Sequence, residues 1–163
     1  MADQETINIL FCGTGGQGIL TAAEICGWAA MLDGYHVKKS EVHGMAQRGG
    51  SVESHLRFGT AVYSPLIPKG EVDYLVAFET GENSRLKNFL KPGGQEMFNE
   101  LEKAVNKIED KRYINTYIIG LLSAKLKINE ASWLQAIELV FHNKHAEENK
   151  KIFLFARKQG GEL

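Results

Sequence analysis

The sequence predicts an α/β fold with a mostly parallel sheet and a helical C-terminal third, on three observations. A short apolar run over residues 7–12 (I-N-I-L-F-C) stops at a glycine cluster, as a buried parallel strand feeding a helix does. Residues 51–58 alternate Val52, Ser54, Leu56 and Phe58 against Ser51, Glu53, His55 and Arg57, the period of a strand with one polar face. Beyond Gly94, apolar residues recur at helical rather than alternating spacing.

Each element follows in order. After the first strand, Ile19, Leu20, Ala23, Ile25, Trp28, Ala29 and Leu32 recur with helical period over residues 17–32, and Gly34 supplies a stop. Residues 35–41 form a second strand, 51–58 a third, and Gly59-Thr60 a turn into Ala61-Val62-Tyr63. Pro65 and Pro68 bound an irregular segment, 72–78 is another buried strand, and 82–90 is a helix stopped by Pro92-Gly93-Gly94. The helical third places Met97, Leu101, Val105 and Ile108 on one helix, then 114–126, then a stretch from Trp133 to Phe141. No repeat, low-complexity tract or linker interrupts the chain, so residues 1–163 are expected to form one domain.

A chain of 163 residues buries roughly two thirds of its unfolded surface, enough to fold without staples. Its 19 basic and 20 acidic side chains nearly cancel, so no global field draws it to nucleic acid or an anionic membrane, and any anion site must be local. Met1 to Thr6 carries neither a cationic flank nor an apolar core, so no signal peptide is expected, and no run reaches the ~18 apolar residues of a membrane span. Cys12 and Cys26 lack C-x-x-C spacing, so neither a zinc site nor an iron–sulfur cluster is expected from this chain alone. They are expected to be buried, inert thiols in a reduced, cytoplasmic setting.

Gly13-Thr14-Gly15-Gly16-Gln17-Gly18 matches G-x-G-x-x-G directly after a strand and at the opening of a helix. Glycines let a backbone approach a pyrophosphate, and the unpaired N–H groups at a helix start supply donors and partial positive charge. Strand, glycine loop and helix in this order point to a Rossmann-like three-layer domain. The same residues also suit a tight turn holding no ligand. A dinucleotide site wants an acidic residue at the end of the second strand, where this chain has Lys38-Lys39-Ser40-Glu41. Glu41 is a late candidate for that role. The lysines suit an extra phosphate, as on NADP or the ribose of coenzyme A, or simply a solvated strand edge.

Residues 40–51 (S-E-V-H-G-M-A-Q-R-G-G-S) are too polar and glycine-rich for core, the composition of a functional loop. His43, Gln47 and Arg48 offer a titratable group, an amide and a fixed cation, and Gly49-Gly50 allows close approach of a ligand or partner backbone. His43 and Arg48 are the candidates for any catalytic part.

These stretches, with residues 13–23 (G-T-G-G-Q-G-I-L-T-A-A), 54–59 (S-H-L-R-F-G) and 63–68 (Y-S-P-L-I-P), together resemble the γ-type catalytic domain of pyruvate and 2-oxoacid:ferredoxin oxidoreductases. S-E-V-H-G-M-A-Q-R-G-G-S resembles most closely the small (beta) subunit of the indolepyruvate type. The likeness is specific over residues 7–94 and looser from Asn115 onward. It implies oxidative decarboxylation of a 2-oxoacid, here an aryl pyruvate, to an acyl-coenzyme A, with electrons passed to ferredoxin. It also implies that thiamine diphosphate and the iron–sulfur clusters sit in a larger partner subunit, leaving this chain inactive and colourless alone. On this chain it points to Gly13, Gly15, Gly16, Gln17 and Gly18 for coenzyme A, with Arg48, Gly49, Gly50 and Ser51 nearby. Two other readings are an NAD(P)-binding reductase module and a non-catalytic assembly subunit with an empty loop. One departure stands out: between Gly94 and Tyr113 the family has a further strand and a longer connection, while this chain passes straight into Gln95-Glu96-Met97-Phe98.

Overall fold

The computed structural model describes residues 5–44, 50–142 and 145–162. A five-stranded sheet forms from β1 (Ile7–Thr14), β2 (His36–His43), β3 (Ser51–Gly59), β4 (Val72–Ala77) and β5 (Leu90–Glu96), in the order β2-β3-β1-β4-β5. β1 pairs parallel with β4, and β4 with β5, whereas β3 runs antiparallel to both β1 and β2. Four strands therefore point one way and β3 alone points back, the mostly parallel sheet expected from the sequence.

The two faces of the sheet are covered unequally. Ile9 and Phe11 of β1 join Leu56, Phe58 and Val76 against α1 (Ile19–Leu32), α4 (Ile114–Ser123), α5 (Glu130–Phe141) and α6 (Ala146–Gly161), the main core. Leu10 and Cys12 point the other way, with Leu75 and Ala77, against Ile67 and Leu86 of α2 (Thr80–Leu86). α1 buries Ile19, Ala22, Ala23, Ile25, Cys26, Ala29 and Ala30, a stripe of small side chains that lets the helix lie close on the sheet. Its end is fixed by Asp33, whose Oδ1 accepts from the N–H and side-chain amide of Asn129 and from the Ser132 hydroxyl at 2.9–3.2 Å, tying α1 to α5. Trp133 and Phe153 stack at 5.5 Å between centroids in the middle of the helical layer. The core runs continuously from β1 to α6, and none of the described helices is long and apolar enough to cross a membrane.

The expected helix over 82–90 is displaced. α2 starts at Thr80, a 3₁₀ turn covers Lys87–Phe89, and the Pro92-Gly93-Gly94 group expected to break the helix lies inside β5. β5 is an edge strand, where a proline's missing N–H need cost no ladder bond. Its register slips between Val72 and Tyr74, and Gly94 passes so close to β4 that a Cβ there would stand 2.7 Å from the Val72 carbonyl oxygen. The chain then passes directly from β5 into α3 (Phe98–Lys107).

Candidate functional site

The glycine loop sits at the C-terminal end of β1, beside that of its parallel neighbour β4. β1 leads into α1 on one face and β4 leads into α2 on the other, so the C-terminal ends of β1 and β4 open a crevice at a topological switch point. Phe78 N–H donates to the Cys12 carbonyl at 2.8 Å and closes the floor. Beside it a cleft of about 570 Å³ is lined by Phe78, Glu79, Thr80, Phe98, Leu101 and Asn106 among others.

The loop makes its turn with Gly16 at φ 91° and Gly18 at φ 81°, a region that costs a side chain but not glycine. Gln17 folds back so that its Oε1 accepts the Thr14 N–H at 2.8 Å, and Gly15 N–H donates to the Gly50 carbonyl at 3.2 Å. Gln17 thus shapes the turn, and Gly15 fastens it to the second motif. A Cβ on Gly13 would meet Gln17 Oε1 at 2.5 Å, while one on Gly16 would meet nothing within 4 Å. Among the described residues, no hydrogen-bond partner meets the N–H of Gly16, Gly18, Ile19 or Leu20. These are the donors that a helix start leaves unpaired, and α1 has no side chain capping them. Gly15, Gly16 and Gln17 are exposed, as are Glu41, Val42, His43 and Gly44.

The second motif is only partly described. Gln47, Arg48 and Gly49 lie outside the described residues. Gly44 N–H donates to the Ser51 carbonyl at 2.7 Å, closing the β2–β3 pair. His43 is exposed, 3.9 Å from the Glu41 carboxylate, at the end of β2 and two strands from the glycine loop. Glu41 pairs with Lys39 at 3.3 Å. Because β3 lies between β1 and β2, the ends of β1 and β2 stand about 10 Å apart, and Glu41 is poorly placed for the ribose of a dinucleotide on the loop.

Three features were not legible in advance. The polar face of β3 turns inward: His55 is 4% exposed and lies beneath residues 62–71 and Phe89. Ile67 N–H donates to His55 Nδ1 at 3.1 Å, which puts the ring proton on Nε2, 3.2 Å from Glu53 Oε2. Arg85 then bridges Glu53 at 2.7 Å and Glu82 at 2.6 Å, and the Ser51 hydroxyl donates to Glu82 Oε1 at 2.7 Å. Ser51 is therefore a tether that fixes the end of the second motif to α2. Arg57 fastens the same face by donating to Asn8 and to the Ser64 and Leu66 carbonyls. The third feature is Asn115, at the start of α4, whose amide nitrogen would be 2.6 Å from a Cβ on Gly18 and so walls the loop from the helical layer.

Electrostatics follow from this chain of contacts. Hydrogen bonds from His55 first, and from Arg85, hold the Glu53 carboxyl below its ordinary range. Burial pushes Glu82 up, but bonds from Arg85 and Ser51 outweigh it and the net direction is down. Burial, with Glu82 and Glu53 nearby, pushes the Cys12 thiol up to about 12, and burial raises Cys26 also, so both thiols stay protonated and unreactive. A carboxylate with a depressed folded pKa stabilises above its unfolded value, near ~4.3 for Glu, and loses that contribution as pH falls through the folded value. Arg85→Met should therefore destabilise by about 1–3 kcal/mol at neutral pH, a figure reduced for Arg85's partial exposure. The gap between variant and wild type, read by urea denaturation, should narrow below about pH 4. An equal gap at both pH values would show that lost packing, not charge, sets the effect.

The fold is an α/β sheet with a glycine-rich loop opening a helix at a topological switch point. Residues 8–103 match the pyruvate ferredoxin/flavodoxin oxidoreductase family, and the chain belongs to it. It is 53% identical over 87 residues to the indolepyruvate oxidoreductase subunit IorB of Thermococcus kodakarensis, a match covering 53% of this chain and 43% of that protein. The subunit of that name from Archaeoglobus fulgidus is 51% identical over 84 residues, 52% of this chain and 41% of its own length. The matches thus span under half the length of these curated relatives. In fold, the chain is similar to the gamma subunit of a keto/oxoacid ferredoxin oxidoreductase from Geobacter sulfurreducens PCA, with TM-score 0.76 at 22% identity, covering 96% of this chain and 97% of that one. It is also similar to a 2-oxoglutarate:ferredoxin oxidoreductase from Magnetococcus marinus solved with 2-oxoglutarate, coenzyme A and succinyl-CoA bound. That TM-score is 0.77 at 20% identity, covering 96% of this chain and 30% of the other.

Proposed function

We propose that residues 1–163 act as one domain, the small subunit of a 2-oxoacid:ferredoxin oxidoreductase acting on indolepyruvate or a related aryl pyruvate, and that its glycine loop forms one wall of a coenzyme A site. The observation that carries this is the group of N–H donors at Gly16, Gly18, Ile19 and Leu20, left without a partner at the start of α1 in a loop fastened through Gly15 to Gly50. A phosphate fits there: Gly16 offers no side chain to block its approach, and the helix start favours negative charge. The described charges around the crevice, Glu79, Glu82 and Glu53 with Arg85 between them, give no net attraction for an anion. The cation of such a site is assigned to Arg48 of the second motif, on its charge alone.

Coenzyme A, when bound, supplies the thiol that takes the acyl group. This chain's part is to hold the phosphates on the loop, to keep the loop's shape through Gln17 and Asn115, and to fix Ser51, at the start of β3, against Glu82. Thiamine diphosphate and the iron–sulfur clusters belong to a larger partner subunit, and ferredoxin is the acceptor of the complex, in the cytoplasm. The two thiols of this chain, fully buried on separate elements, do not fit a cluster, and among the described residues no group of His, Cys, Asp and Glu is arranged to hold a metal ion. The insertion of β3 between β1 and β2 counts against a nicotinamide dinucleotide.

Purification of the native complex from its source, followed by an acyl-coenzyme A assay across several 2-oxoacids, tests this reading. Turnover should need both subunits and coenzyme A and be highest with an aryl pyruvate. Turnover by this chain alone, or thermal stabilisation of it by NAD(P), would replace the reading.

A further inference from the structure

We propose that the cleft between α3, α4 and α6, away from the glycine loop, binds a free α-amino acid with a large apolar side chain. The proposal does not rest on the reading of the loop. The cleft encloses about 370 Å³, within the range of small-molecule sites, and is lined by Glu100, Lys103 and Lys107 of α3, Tyr117 and Leu121 of α4, Gln159 of α6 and Glu162 just past its end, two carboxylates against two ammonium groups. Glu100, Lys103 and Lys107 follow i, i+3, i+7 spacing, which puts their charges on one face of α3 along the cleft.

Two observations point to a ligand. Glu100 Oε2 is buried with no hydrogen-bond partner, an arrangement that is costly unless something else donates to it. Among the described residues, Glu100, Lys103 and Lys107 also form no ion pair with one another or with any neighbour, although they share a helix face. A carboxylate and an ammonium three residues apart are separated by about 4.5 Å along a helix axis. That separation suits a zwitterion whose ammonium donates to Glu100 and whose carboxylate meets Lys103, with Lys107 adding charge. Tyr117 Oη donates to Gln159 Oε1 at 2.5 Å, leaving the Gln159 amide N–H groups to reach the same carboxylate. Leu121 and the Tyr117 ring form an apolar floor for the side chain.

Titration calorimetry of the purified chain with L-phenylalanine, phenethylamine and 3-phenylpropionate tests this. L-Phenylalanine should bind saturably, and each half-ligand at least about tenfold more weakly. Glu100→Gln should weaken L-phenylalanine about tenfold and leave 3-phenylpropionate unchanged. Lys103→Met, on the exposed side of α3, should do the reverse, weakening 3-phenylpropionate and sparing phenethylamine. Unchanged thermal midpoints would show that both variants fold. Equal binding of all three compounds, no effect of either substitution, or no saturable heat up to about 10 mM ligand overturns the proposal.

Discussion

Gly120→Val should lower the stability of the chain by about 3 kcal/mol or more, the largest effect of any single side chain added to the helical layer. Gly120 faces α6 from the middle of α4, and a Cβ there would stand 2.5 Å from Ala156 Cβ and 2.6 Å from the Phe153 carbonyl oxygen. Those are a short side chain and a backbone atom, neither of which can swing aside, so the helices must separate. Gly160 makes the reciprocal approach, with a Cβ 2.9 Å from the Leu121 carbonyl. Separation would loosen the core around Trp133 and Phe153, both fully buried, and would strain the Arg157 bond to the Ser123 carbonyl. For a chain of this size the loss corresponds to a fall in Tm of roughly 6–12 °C. Gly161→Val is the control, because nothing lies within 4 Å of a Cβ there. Equal thermal shifts for the two would show that α4 and α6 do not meet as described.

The second large effect is expected at the loop. Gly16→Val in the assembled enzyme should raise the KM for coenzyme A about tenfold or more, the consequence of losing ~1.4 kcal/mol of binding. At φ 91° a β-branched residue is strained, so the turn shifts, and its methyls project into the open space that a phosphate would fill. No neighbouring atom lies within 4 Å of the added Cβ, so the shift stays local to the turn, and assembly and the decarboxylation half-reaction should survive. An unchanged KM in a normally assembled variant would make the loop a structural turn only.

The strand-loop-helix unit was legible because its signals are local: an apolar run, glycines at the turn and small residues at helical spacing lie within some 25 positions. β5 was not, because proline and two glycines read as a stop, and only its place at the sheet edge makes them tolerable. The strand order was hidden too, since no local feature says that β3 will insert between β1 and β2. The site's second layer depends on distant pairs. Ser51 meets Glu82 31 residues on, and Asn115 meets Gly18 across 97 residues. Alternation did place Glu53, His55 and Arg57 on one face, but not that residues 62–71 cover it. The i, i+3 spacing of Glu82 and Arg85 was the one local hint of the network.

Hydrogen exchange of the assembled complex with and without coenzyme A tests the central claim most directly, read on peptides covering residues 13–20. Donors engaged by phosphate exchange slowly, so the amides of Gly16, Gly18, Ile19 and Leu20 should slow about tenfold or more on saturation, while those of α5 stay unchanged. Unaltered exchange across residues 13–20, in a complex that still turns over coenzyme A, would contradict the assignment of the loop.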